Sequence, residues 1–267
     1  MIKKLSIYMV LLFSVPLTTW LIGYRWEGEQ IYFIDTFLLF LSELIEYPYT
    51  LFICIILMFW LMWLVRKQHS WILVGMICAT SIISMHELKE ASKNFFMEPR
   101  PYLHYFLKED VNTFYQISSE KERFELIKSH ALDRARSTEH GARSTEHGAR
   151  STEHGARSIN QYDQHRINNQ GFSFPSGHTI FTDSWLFIFV GFLYGLKGLS
   201  VTFSLIFLST VSLLMAISRI RLGMHFPIDI MTSTLITYFY HLIIFVFVVP
   251  YLSKWKIFDY KWFRKQD

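Results

Sequence analysis

The sequence predicts an all-α protein: a polytopic membrane bundle of six transmembrane spans, with an outer-face loop subdomain and an interfacial helix. Three observations carry this. Half of the 267 residues are apolar (51%), and they come in runs rather than in the alternation of a soluble domain. Several runs approach or exceed the roughly 20 residues that a bilayer core demands. The basic residues sit in short turns beside those runs, as orientation signals do. The net charge of +4 is therefore not read as a nucleic-acid footprint.

In chain order, Leu5 to Tyr24 is uncharged after a short basic start. A cleaved signal peptide is the rival reading. The run is long for an h-region, and no small-x-small site precedes Arg25, so a retained first span is expected. Ile31 to Tyr47 carries Asp35, Glu43 and Glu46 near one helical face, which reads as a helix lying along the membrane surface. The alternative is a span whose acids face the bundle interior. Pro48–Val65 is the second span, and Trp71 onwards, towards Lys89, is the third. Ser176–Leu196, Gly198–Ile217 and Ile228–Leu252 complete the six. Cys54 and Cys78 lie inside apolar runs and read as buried small hydrophobes. Trp20, Trp26, Trp63, Trp71 and Trp255 lie near boundaries, where interface anchors belong.

Met1–Lys4, Arg66–His69, Lys197 and the Lys/Arg-rich tail fall on one side of a six-span layout, which the charge rule makes cytoplasmic together with both termini. The chain then reads as one domain, 1–267, with 93–172 as a loop subdomain on the outer side. Ser119 and Glu122 have capping-box spacing, predicting a short helix near 119–133. Ala-Arg-Ser-Thr-Glu-His-Gly then occurs three times from Ala135 to Gly155, and a fourth copy begins within 156–158. His140, His147 and His154 tempt a metal-site reading, but each copy holds Gly and Ser-Thr and no apolar seam. A low-complexity insertion is the expectation.

Three stretches carry chemistry. Lys93 and Arg100, the latter between Pro99 and Pro101, end the third span; they share a helical face if the helix persists that far. Pro175-Ser176-Gly177-His178 opens the fourth span, where free N–H groups and the Ser176 hydroxyl make an anion cradle. Ser218 to Asp229 places Arg219, His225 and Asp229 at the mouth of the sixth. Each stretch alone has a bland reading as flanking charge or helix cap. Together they gather three cations, a helix N-terminus and two histidines at one membrane face, which suits a phosphate moving towards its transition state. Lys93, Arg100, Arg219, Ser176 and Gly177 are expected to hold the phosphate. His225 is the expected nucleophile, with Asp229 orienting it and His178 as general acid and base. No cofactor or metal is expected, because cations stand where Mg²⁺ would and no carboxylate-rich cluster accompanies them.

Lys93-x6-Arg100-Pro101, Pro175-Ser176-Gly177-His178 and Ser218-Arg219-x5-His225-x3-Asp229 resemble, complete and in order, the motifs of the type 2 phosphatidic acid phosphatase superfamily. Further text similar to its bacterial integral-membrane members is Gly23-Tyr24-Arg25-Trp26, Gly28-Glu29-Gln30, Glu98-Pro99-Arg100-Pro101, Gly171-Phe172-x-Phe174 and Leu222-Gly223-Met224-His225. The resemblance covers most of the chain outside the repeat. It implies a lipid phosphatase acting on phosphatidylglycerophosphate, and also on undecaprenyl pyrophosphate, phosphatidic acid and diacylglycerol pyrophosphate. It implies a bacterial inner membrane with the site facing the periplasm. The rival reading within the superfamily is chiefly an undecaprenyl pyrophosphate phosphatase for lipid-carrier recycling. A transporter reading lacks span repeats and midplane breaks. Asp183, inside the fourth span, departs from the superfamily pattern and reads as an acid facing the bundle interior, or as one that tunes a nearby site cation.

Overall fold

The computed structural model describes residues 1–28, 32–108, 111–143 and 160–258, and every regular element among them is helical. In order these are α1 (Ile2–Leu21), α2 (Phe33–Glu43), α3 (Tyr49–Val65), α4 (Trp71–Phe96), α5 (Pro101–Leu107), α6 (Val111–Gln116), α7 (Glu120–Arg143), α8 (Gln161–Asn168), α9 (Gly177–Phe192), α10 (Leu199–Arg221) and α11 (Pro227–Ile243). A π-helical turn, Ile244–Val248, then leads into α12 (Val249–Leu252). Four segments are long and apolar enough to cross a membrane: those containing α1, α4, α10, and α11 with its continuation to Leu252. α3, at 17 residues, and α9, at 16, are apolar and shorter.

α9 is the axis of the bundle. It is apolar nearly all round, so it buries on every side. From Thr179 to Phe192 only Phe181 is not fully buried. α10, α11 and α4 pack around it, and α1 closes the gap against α11 and α10. The first span is thus part of the bundle: Leu5, Leu12 and Pro16 are buried, and Ser6 hydrogen-bonds Tyr238 at 2.8 Å. Outward-facing residues such as Ile7, Phe52, Phe59, Ile206 and Phe247 are large, apolar and exposed, as a lipid-facing belt requires. Cys78 is buried and Cys54 partly so; both are free thiols.

A second apolar cluster caps one end of the bundle. Tyr102, Leu103, Phe106 and Leu107 of α5, Phe114 of α6 and Ile127 of α7 pack with Ile167 of α8 onto Leu222 and Met224. The expected helix near 119–133 is present and longer, with Ser119 Oγ accepting from the Glu122 amide at 3.3 Å. His140 lies in helical backbone; His147, His154 and most of the repeat fall outside the described residues.

Three expectations need correction. α4 ends at Phe96, where Met97 adopts φ 48°, so Lys93 and Arg100 do not share a helical face. Pro99 and Pro101 force the intervening backbone out of the helix, and Arg100 becomes the N-cap residue of α5. α2 turns Asp35 inward, not to solvent: Asp35 is buried and paired with Arg221 Nε at 2.9 Å, while Phe33, Phe37 and Phe40 are exposed. A half-buried cation on α10, Arg221, supplies the partner that makes this inward acid tolerable. Trp26 is a plug, not an interface anchor. Its indole N–H donates to Arg221 O at 3.1 Å, its ring meets Tyr105 edge-on, and the Arg166 guanidinium stacks 4.6 Å from its centroid.

Candidate active site

Helix ends place all three motifs. α10 runs four residues beyond its expected limit and carries Arg219 in its last turn, fully buried. The Arg219 Nη1 group donates to Ser42 Oγ of α2, while its Nε has no partner among the described residues. The chain then reverses at Gly223. Its φ of +70° favours glycine, and a Cβ there would meet the Trp26 ring at 2.5 Å. The Met224 and His225 amides both donate to Arg219 O, at 3.0 and 3.1 Å, which ties the histidine to the arginine's own backbone. Pro227 starts α11, and Asp229 follows in its first turn.

Asp229 is fully buried and its Oδ2 has three neighbours. The Phe226 amide donates to it at 2.9 Å and the Ser173 hydroxyl at 2.5 Å, and His225 Nδ1 lies 3.6 Å away. Ser173 Oγ is also 3.5 Å from His225 Nδ1. Nδ1 of His225 therefore faces the carboxylate, and Nε2 is the end free for chemistry. Burial first, then the charges of Arg100, Arg219, Lys93 and His178, hold the His225 imidazole well below its usual range. It is neutral at pH 7, as a nucleophile must be.

Ser176 caps α9: its Oγ accepts from the Thr179 hydroxyl at 2.9 Å and from the Thr179 amide at 3.5 Å. Its own amide donates to Ser233 Oγ of α11 at 2.8 Å, tying the second motif to the third. At Gly177 a Cβ would meet the Lys89 side chain at 2.7 Å, so glycine lets α4 approach the start of α9. His178 follows, its Nε2 buried and without a hydrogen-bond partner. Arg100 is buried; its Nε donates to Gly171 O at 2.6 Å and its Nη1 to Met224 O at 3.4 Å. Lys93 and Arg100 line one polar cavity of about 430 Å³ together with Tyr115, Arg123 and Gln170.

All eight expected site residues thus sit at one end of the bundle, beneath the loop cluster. Four further residues join them. Ser173 binds the carboxylate of Asp229, yet in the sequence it is only the small residue between Phe172 and Phe174. Ser42 receives Arg219. Glu46, in the turn between α2 and α3, places Oε1 4.0 Å from His178 Nε2 and 3.9 Å from His165 Nδ1. His165, on α8, is buried, and burial with the charges of Arg219, Arg100 and Arg166 pushes its pKa down to about 3. Their shared signal was weak: a charge closing an apolar run, and a histidine in a polar loop. Asp183 faces the bundle interior, 1% exposed, and accepts from Thr234 Oγ1 at 2.7 Å.

An arrangement of buried cations, a helix N-terminus and a neutral, carboxylate-oriented imidazole can bind a tetrahedral oxyanion and attack it. Comparison with known proteins agrees. The family model described as PAP2 superfamily matches residues 69–252. Phosphatidylglycerophosphatase B of Haemophilus influenzae is 33% identical over 255 residues, covering 93% of this chain and 96% of the relative. The proteins of that name from Escherichia coli K12 and Shigella flexneri are each 26% identical over 242 residues, 88% of this chain and 85% of theirs.

Proposed function

The chain belongs to the PAP2 superfamily, and from that premise we propose that this membrane-embedded lipid phosphatase hydrolyses phosphatidylglycerophosphate to phosphatidylglycerol and phosphate. The observation that carries the reading is the His225–Asp229–Ser173 chain set against Arg219, Arg100 and His178. His225 Nε2 attacks phosphorus, and an N–P bond forms as the ester P–O bond breaks. His178 gives its proton to the departing glycerol oxygen. Asp229 stabilises the positive charge that develops on His225. Water then attacks the phosphohistidine with His178 taking its proton, which frees phosphate and restores both imidazoles. Lys93, Arg100, Arg219 and the Ser176–Gly177 cradle hold the phosphate oxygens throughout and supply the positive charge the transfer needs.

An apolar cavity of about 290 Å³ supports the lipid reading. It lies between α2, α3, α9 and α10, lined by Ile45, Trp60, Phe181, Thr182 and Trp185 among others. Thr182 hydrogen-bonds the His178 carbonyl at 3.1 Å, so the cavity begins one turn below the acid. We read it as the place of an acyl chain entering from the bilayer. The basic residues of Met1–Lys4, Arg66–His69 and Lys197 support an inner-membrane topology with the loop cluster in the periplasm and both termini in the cytoplasm.

The test is phosphate release from phosphatidylglycerophosphate by detergent-purified protein with excess EDTA, beside His225→Ala. Activity that survives EDTA and falls by about 10⁴-fold or more in the variant is expected for loss of a nucleophile. Loss to EDTA would overturn the metal-free mechanism, and full activity of the variant would overturn the assignment of the nucleophile.

A further inference from the structure

On the proposed leaving-group side, the groups other than the acid His178 are acceptors, whereas the groups proposed to hold the phosphate are donors. In an in-line displacement the leaving oxygen lies opposite His225, beside His178. There Glu46 Oε1 stands 4.0 Å from His178 Nε2 and 3.9 Å from His165 Nδ1, and accepts from Asn169 Nδ2 at 3.3 Å. Asn169 Nδ2 also donates to the His165 carbonyl at 3.0 Å, holding the histidine and the acid in one unit. The His165 side chain is 4% exposed and its Nε2 is buried without a partner among the described residues.

The protonation pattern follows from these neighbours. His165 Nδ1 faces the Glu46 carboxylate across 3.9 Å, which favours the tautomer with the proton on Nδ1 and Nε2 left as a lone-pair acceptor. Glu46 is likewise an acceptor. Two acceptors beside a cation-rich pocket, His165 buried and Glu46 half-buried, have no use for a phosphate oxygen, which accepts too. They fit a group that donates, and among lipid headgroups that group is an alcohol.

We infer that Glu46 and His165 form a hydroxyl-binding subsite that selects lipids whose phosphate is esterified to a polyol. This rests on the proposed phosphatase reading and sharpens it. A glycerol headgroup presents a free hydroxyl next to the scissile ester. Phosphatidic acid presents none. A lipid diphosphate would put a second phosphate against the Glu46 carboxylate, where like charges oppose binding. The subsite therefore favours phosphatidylglycerophosphate over both. A site that holds a substrate hydroxyl rejects the analogue lacking it, because its own buried polar groups are then left unpaired.

The experiment compares kcat/KM on four lipids: phosphatidylglycerophosphate, its headgroup-deoxy analogue, phosphatidic acid and diacylglycerol diphosphate. Wild-type protein is set against Glu46→Gln and His165→Phe. Ratios between lipids are taken within one preparation, so a partly folded variant still gives a valid reading. Wild-type protein should prefer the natural headgroup over the deoxy analogue by roughly tenfold or more, the scale of a hydrogen bond to a charged group. Both variants should erase that preference, and Glu46→Gln should also raise diphosphate relative to phosphatidic acid. Equal wild-type rates on natural and deoxy headgroups would overturn the subsite, as would variants that lose all four activities in parallel. Wild-type protein that cleaves phosphatidic acid or diphosphate but not phosphatidylglycerophosphate would overturn the substrate reading itself, and the subsite with it.

Discussion

The phosphate side of the site and its leaving-group side differ in how they are made. The phosphate side comes from the ends of long, buried helices: Arg219 from the last turn of α10, His178 from the first turn of α9, Asp229 from the first turn of α11. Its backbone is pinned by the Arg219 carbonyl and by the Ser176–Ser233 bond. The leaving-group side comes from a turn and a short helix, Glu46 before α3 and His165 on the eight-residue α8. The first half has little freedom and carries chemistry common to any phosphate ester. The second is held by polar contacts and by the packing of Ile167 in the apolar cap, and in the proposed mechanism it meets the part of the substrate that varies. If the proposed roles hold, reaction and selection sit on different elements, and substitutions in the two halves should be distinguishable by which kinetic constant they move.

The largest effect expected in the phosphate half, beyond loss of the nucleophile, is at Arg219. Arg219→Ala should lower kcat/KM by about 10²–10³-fold, the scale of removing one transition-state donor. Arg219→Lys should recover only part of this, since an ammonium cannot reproduce the guanidinium fork that reaches Ser42 with one arm and leaves Nε for phosphate. Steady-state rates on phosphatidylglycerophosphate and phosphatidic acid should fall in parallel. A ratio that shifts instead would erase the division between the halves.

The pH profile comes next. An imidazole of ordinary pKa would lose about tenfold of its neutral form between pH 7 and pH 5.5. His225 is held well below its usual range by burial and the surrounding cations, so it stays neutral as pH falls through 6.5. The sign is fixed: a depressed pKa moves the loss of nucleophile to lower pH. After correction for the substrate's own ionisation, kcat/KM should show no acid limb near 6.5 that belongs to His225. A limb centred there and removed only by altering His225 would mean that the cations do not act on it as the geometry implies.

Ser173 tests how far the phosphate half extends into the loop subdomain. Ser173→Ala removes one of two hydrogen bonds to Asp229 Oδ2 and should cost roughly tenfold in kcat, from a bond to a charged acceptor. KM should change little. The residue also shows where sequence reasoning stopped. The three motifs were legible because each chemical group lies within a few residues of the proline or glycine that shapes its helix end. The six apolar runs were legible because lipid-facing and core positions are both apolar. Glu46 and His165 were not, because they reach the site only through tertiary packing of the α2–α3 turn and α8 onto the bundle; Ser173, close to Pro175, was missed because its role depends on reaching Asp229 on α11. No local spacing encodes that contact. The condition for a shared face of Lys93 and Arg100, a helix that persists that far, was not met for a local reason: α4 ends at Phe96, and Pro99 keeps the chain from resuming it before Arg100.

The smallest effect should come from the clamp that joins the halves. α2 carries Ser42, which holds Arg219, and Asp35, which pairs with Arg221 one turn boundary away. Arg221 is 28% exposed, so the pair is worth about 1 kcal/mol or less, and Asp35→Asn should lower kcat/KM no more than about fivefold. Its signature should lie in stability against pH. Burial raises the Asp35 carboxyl, but hydrogen bonds from Arg221 and the Tyr32 amide and the nearby guanidinium charges outweigh it and hold it below its ordinary value. A depressed carboxylate adds stability above its unfolded pKa and loses it as pH falls through the folded one. Thermal midpoints of wild-type and Asp35→Asn protein should therefore differ most at neutral pH and converge below about pH 4, where the unfolded carboxylate also protonates. A gap that stays constant with pH would assign Asp35 a packing role, and α2 would then position Arg219 by shape alone.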